Sequence, residues 1–155
     1  MGMNFKDQDA LNTLISDEFF PWSNKVTVTQ DMINTFADLT GDHMWMHVDV
    51  ERCAKESPFG KPIAHGFLLL SLLAKFQTLP GVIEKIEGYS HMMNYGSDKL
   101  RFPGAVPVDS ELHAHSRIKG VEVAPNKTKI TAETHLHIVG NDRPVLIYEM
   151  AFVFM

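Results

Sequence analysis

The stretch Gly41-Asp42-His43-Met44-Trp45-Met46-His47 places a carboxylate and an imidazole five positions apart, directly after a glycine. His65-Gly66 follows, at the head of an apolar run. Two side chains able to move protons, and a backbone N–H at a helix start able to meet developing negative charge, are the parts of an acid–base site. On an unbroken helix, residues five apart point about 140° away from each other. Asp42 and His47 therefore converge only if the chain leaves a helix at Gly41 and turns. Taken singly, each piece also has a plain structural role. Asp42 could be a turn residue, His47 a packed histidine, and His65-Gly66 an ordinary helix entry.

The elements around these residues are legible. Residues 25–28 read as a short strand. Thr29 is the expected N-cap of a helix carrying Ile33, Phe36, Ala37 and Thr40 on one face, with Asp31 in its first turn and Gly41 as its stop. Asp49 is positioned to cap a second short helix through Ala54. A loop with Pro58, Gly60 and Pro62 leads into a helix expected over residues 65–77. That helix is apolar on nearly every side, so it should be buried and wrapped by the rest of the domain. The wrapper is the period-2 sequence beyond it. Over 111–119, Leu112, Ala114, Ser116 and Ile118 share one face. Over 129–139, Ile130, Ala132, Thr134, Leu136 and Ile138 do the same. Asn141-Asp142 before Pro144 marks a turn, and residues 145–155 form a last strand. Such alternation marks antiparallel sheet with one buried and one wet face. The expectation is an α+β fold, with a long central helix inside a curved antiparallel sheet.

Bulk properties narrow the function classes. The chain has 155 residues, read as one domain over 1–155, with net charge −5 and one cysteine. The acidic balance argues against nucleic-acid partners, which need a basic face. A lone cysteine excludes an internal disulfide and a cysteine-rich metal cluster. Cys53 reads as a packed residue rather than a nucleophile. The first residues are polar and lack the apolar core of a signal peptide, and no run is long enough to span a bilayer. A cytoplasmic protein without a membrane partner is expected. His113, His115, His135 and His137 lie on one sheet face, but they share it with Arg117, Lys119, Lys129 and Glu133. That face reads as solvated and outer, so no native metal site and no cofactor are expected. Lys99 and Arg101 alternate on the strand over 95–102 and could meet an anionic ligand or simply be exposed.

Taken together, the motifs resemble a known family. Phe36-Ala37-Asp38-Leu39-Thr40-Gly41-Asp42-x-x-x-x-His47 resembles the signature of the MaoC-like (R)-specific enoyl-CoA hydratases, which have the hot-dog fold. Pro62-Ile63-Ala64-His65-Gly66-Phe67-Leu68 is similar to their oxyanion-glycine segment. Tyr95-Gly96-Ser97-Asp98-Lys99-Leu100-Arg101-Phe102-Pro103, with Val106-Pro107-Val108, resembles the strand and turn that follow. The Trp45-Met46-His47-Val48-Asp49 variant is most similar to the branch named after NodN. The resemblance implies that Asp42 and His47 hold a catalytic water and that the Gly66 N–H polarises a thioester oxygen. Met44, Trp45, His65, Tyr95, Lys99 and Arg101 are the substrate-binding residues it suggests. Met44 stands where many members carry a polar residue, often asparagine or, in this branch, glutamine. The implied reaction is reversible hydration of a trans-2-enoyl-CoA, or of the acyl carrier protein thioester, to the (R)-3-hydroxyacyl thioester. A homodimer is implied, with Met44, Met46, Met92 and Met93 available to line an acyl pocket. A hot-dog thioesterase and a non-catalytic acyl-thioester binder are the alternatives.

Overall fold

The computed structural model describes residues 2–155. Five strands form one antiparallel sheet: β2 (Val26–Thr27), β5 (Glu111–Ala124), β6 (Lys127–Ile138), β7 (Leu146–Phe154) and β4 (Met92–Arg101), in that spatial order. The curled sheet and its few helices make a hot-dog fold. β1 (Met3–Asn4) and β3 (Ile86–Glu87) make a separate parallel pair beside α1 (Gln8–Asn12). The expected alternation is realised. Leu112, Ala114, Ser116, Ile118, Ile130, Ala132 and Leu136 are buried on the concave face. β4 sits at the edge, paired to β7 on one side alone, with two register irregularities and nearly every residue exposed.

The connections that position the site follow the sequence signals. Thr29 caps α2 (Gln30–Thr40), its hydroxyl accepting from Met32 N at 3.3 Å. Gly41 ends α2 at φ +79, a left-handed conformation that a side chain would disfavour. A short α3 (Trp45–Val48) carries His47, and Asp49 caps α4 (Val50–Glu56) by accepting from Arg52 N at 2.9 Å.

The central helix is shorter than expected. α5 spans Gly66–Leu72, and the chain then tightens into a 3-10 turn over Leu73–Lys75. A distant residue ends it. Asn24 donates its side-chain N–H to the Lys75 carbonyl at 3.0 Å and accepts from Gln77 N at 2.9 Å. This replaces the helical ladder and lets Phe76 turn into the core. Nor is α5 buried on every side. Leu68, Leu69 and Leu72 pack against Leu112, Ala114, Leu136 and Leu146, whereas Phe67 is 64% exposed. Among the described residues, no helix is long and apolar enough to cross a membrane.

The outer face also departs from expectation. It is not a solvated face: Glu133 and His137 are 7% and 6% exposed, and His113, His115 and His135 are half-buried. The cause is the segment 16–23, which runs along the edge of β5. Ser16 N donates to Ile118 O, Phe20 N to Ser116 O and Ser23 N to Ala114 O. Its aromatic side chains fold over the histidines. Trp22 stacks on His113 and His115 at 3.8 and 3.9 Å, and Phe19 on His115 at 4.2 Å. Burial, reinforced by the neighbouring histidines, pushes His115 down to about 4, so its ring is neutral at pH 7.

Candidate active site

After Gly41 the chain makes the turn that the spacing requires. The side chains of Asp42, His47 and His65 each bring a carboxylate oxygen or a ring nitrogen to within 4.8 Å of the other two. Asp42 stays exposed, while His47 and His65 are 8% and 3% exposed, so the cluster lies at the mouth of a buried corner.

Main-chain contacts set each ring. His47 Nδ1–H donates to the Ile63 carbonyl at 2.7 Å. A carbonyl can only accept, so the neutral ring keeps its lone pair at Nε2. His65 Nε2–H donates to the Asp42 carbonyl at 2.9 Å, which leaves Nδ1 as an acceptor. That Nδ1 is buried without a hydrogen-bond partner. Burial lowers the His65 pKa below the ordinary histidine value, and positive charge on His47 would lower it further. The two rings stack at 3.8 Å, and Phe36 packs on His65 at 5.0 Å. The cluster therefore offers the Asp42 carboxylate and the His47 Nε2 lone pair, while the His65 Nδ1 lone pair is buried. Such a set suits a water molecule, which has two protons to donate, or a cation.

The scaffold beneath is tied at several points. Ile63 N donates to Met46 O, Ala64 N to Val106 O and Val108 N to Pro62 O. These bonds lock the segment before α5 between α3 and the loop holding Pro107. Gly66 is the first residue of α5, where helical amides lack partners within the helix. A Cβ added there would lie 3.1 Å from the Phe102 ring, so the end of β4 closes directly on Gly66.

The other expected site residues divide. Met44 is half exposed in the turn between Asp42 and His47, and its N–H points to the Asp42 carboxylate at 3.4 Å. Trp45 faces α4, with the Arg52 guanidinium over its ring at 4.3 Å. Tyr95, Lys99 and Arg101 lie exposed on the edge strand β4. Lys99 and Arg101 pair with Glu149 and Ile147 and alternate with Leu100, which packs toward the core. Tyr95 lies near Lys127, whose ammonium sits 5.6 Å from its ring. Cys53 is fully buried, its thiol facing the Trp45 and Met46 carbonyls at 3.6 Å, and burial raises its pKa. It is a packed residue, as expected.

Sequence reasoning missed Gln30. Its side-chain N–H donates to the His47 carbonyl at 2.8 Å, bracing α3 from α2. Its one available signal is a polar side chain in the first turn of α2. The reach across seventeen positions to His47 belongs to the tertiary fold.

The chain is also similar to known proteins. A family model described as "MaoC like domain" matches residues 17–140. The chain is 44% identical over 128 residues to 3-hydroxyacyl-thioester dehydratase Z of Mycobacterium tuberculosis, covering 82% of each chain. It is 38% identical over 131 residues to nodulation protein N of Rhizobium meliloti, covering 80% of this chain and 76% of that one. Among solved structures, it resembles the monoamine oxidase regulatory protein from Archaeoglobus fulgius, with TM-score 0.71, 27% identity and 86% of each chain covered. The (R)-hydratase from A. caviae involved in PHA biosynthesis superposes with TM-score 0.65 at 24% identity, over 89% of this chain and 96% of that one. At that identity the likeness speaks for the fold.

Proposed function

The chain belongs to the MaoC-like dehydratase family, and on that premise we propose that it reversibly hydrates a trans-2-enoyl thioester to the (R)-3-hydroxyacyl thioester, in the cytoplasm. The observation that supports the reading is that the side chains of Asp42, His47 and His65 come together, with one ligand-capable atom of each within 4.8 Å of the other two.

In the hydration direction, Asp42 and His47 Nε2 accept the protons of a held water. As its oxygen bonds to C3 of the enoyl chain, one proton passes to the pair and electron density moves to the thioester oxygen. The Gly66 N–H donates to that oxygen, where charge is greatest in the transition state. The pair then returns a proton to C2, so that H and OH have added across the double bond. Dehydration is the same path reversed. His65 positions the pair by holding the Asp42 main chain and packing against His47.

Substrate contacts follow from the same premise. A cavity of about 830 Å³, lined in part by Leu70, Leu73, Phe76, Tyr148, Met150 and Phe152, opens one helical turn along α5 from Gly66 and suits an acyl chain. The edge strand β4 exposes Met92, Met93 and Tyr95, and Phe67 and Phe102 are exposed near its end. A second copy of the chain would cover this apolar edge. In such a homodimer Tyr95, Lys99 and Arg101 would contact the carrier, with the two cations at the phosphates of CoA or of acyl carrier protein.

The test is an assay with crotonyl-CoA and longer trans-2-enoyl-CoA thioesters, read at the enoyl-thioester absorbance, with free thiol measured in parallel. Loss of absorbance without thiol is expected. Thiol release would make the protein a thioesterase. Saturable binding without either change would make it a carrier.

A further inference from the structure

The outer-face histidines take no part in this chemistry, yet they are arranged as ligands. One ring nitrogen from each of His115, His135 and His137 lies within 4.8 Å of the other two. His115 and His135 face each other across the β5–β6 ladder, and His137 follows two positions along β6.

Two of the three rings have one nitrogen committed to a hydrogen bond. His137 Nδ1–H donates to the Asn141 carbonyl at 3.0 Å, and His135 Nε2–H donates to the Glu133 carboxylate at 2.7 Å. Both partners are acceptors, so the nitrogens left over, His137 Nε2 and His135 Nδ1, carry lone pairs in the neutral rings. His137 Nε2 is buried and has no hydrogen-bond partner. A buried acceptor without a donor is costly. Metal-binding histidines are commonly oriented this way, the distal N–H held by a carbonyl or carboxylate.

We propose that His115, His135 and His137 bind one divalent transition-metal ion of the zinc type, beneath Phe19 and Trp22 and separate from the Asp42 cluster. Imidazole ligands suit Zn²⁺, Co²⁺ or Ni²⁺ and not the oxygen-seeking Ca²⁺ and Mg²⁺. Zinc–nitrogen bonds of 2.0–2.1 Å in tetrahedral geometry put ligand nitrogens about 3.3 Å apart. The rings must therefore draw together by at most about 1.5 Å, a side-chain adjustment. Glu133 balances the ion from behind His135 and is itself held by Arg117 at 3.0 Å. The ion would cross-link β5 to β6. Through the stacked Trp22 and Phe19 it would also fasten the segment 16–23 to the sheet.

The test uses the full chain without an affinity tag, stripped with chelator and titrated with ZnCl₂ by calorimetry and with CoCl₂ by absorbance. One equivalent is expected, with a dissociation constant tighter than about 10 μM and d–d bands of tetrahedral cobalt. Saturating Zn²⁺ should raise Tm. His137→Ala or His115→Ala should weaken binding by a hundredfold or more, about 2.7 kcal/mol, and Glu133→Gln by about 10- to 100-fold. Imidazole proton resonances of the unmodified chain provide a readout that needs no variant: those of His115, His135 and His137 should shift on zinc addition. Weak or substoichiometric binding, binding unaffected by His137→Ala, shifts confined to other histidines, or binding abolished by the Asp42→Asn/His47→Gln pair would each overturn the site.

Discussion

The imidazoles of His47 and His65 stack at 3.8 Å, 26° from parallel, and each hands its one committed N–H to a different main-chain carbonyl. The pair is thereby held with a lone pair on each ring. The bond from His65 to the Asp42 carbonyl ties the turn at Asp42 to the histidine pair. Burial, with the charge of His47 when it is protonated, holds His65 below the ordinary histidine pKa.

Asp42→Asn keeps the shape and removes the carboxylate. General acid–base groups contribute about a hundred- to ten-thousand-fold. A kcat loss in that range, with an unchanged circular dichroism spectrum, is expected in the enoyl-CoA assay. Turnover close to that of the parent would remove Asp42 from the mechanism.

His65→Phe retains the stack but loses the bond to the Asp42 carbonyl. One neutral hydrogen bond is worth about 0.5–1.5 kcal/mol. A several-fold fall in kcat with little change in KM is expected, because position is lost and not contact with substrate. A pure KM effect would make His65 a pocket wall.

Gly66→Val should depress kcat more than it weakens binding of an unreactive saturated acyl-CoA, since the charge at the thioester oxygen develops in the transition state. Losing one such donor costs on the order of 3 kcal/mol in other enzymes. The added side chain also meets Phe102. Combining it with Phe102→Ala therefore separates the two effects: folding should recover and kcat should not.

Stability should fall in acid. Burial holds His65, His113, His115 and His135 below the ordinary histidine pKa. Between these folded values and about 6.5 the unfolded chain binds more protons. Their contribution is complete above about 6.5 and is lost as pH falls through that window. Tm of chelator-treated protein measured from pH 7.5 to 4.5 should drop below 6.5, and less so in His115→Gln. A flat profile would contradict the burial of these rings.

Met93→Glu places a charge on the exposed edge strand β4. If a second copy covers that edge, light scattering should show a shift from dimer to monomer at micromolar concentration. An unchanged mass would move the interface elsewhere.

Local chemistry was legible in the residues themselves. Thr29 and Asp49 cap, Gly41 turns left-handed, and the alternation of Leu112 to Ile118 and Ile130 to Leu136 chooses the buried face. Each depends on a residue's own backbone and its near neighbours. Tertiary structure decided what other segments lay on top. Asn24 cut α5 short, Gln30 reached His47, and Phe19 and Trp22 covered histidines whose strand pattern reads as wet. It also set Lys99 and Arg101 on an edge strand paired on one side alone. Periodicity says which way a side chain points from its own strand or helix. Which distant segment meets it there depends on how the whole chain closes, and the period carries no record of that.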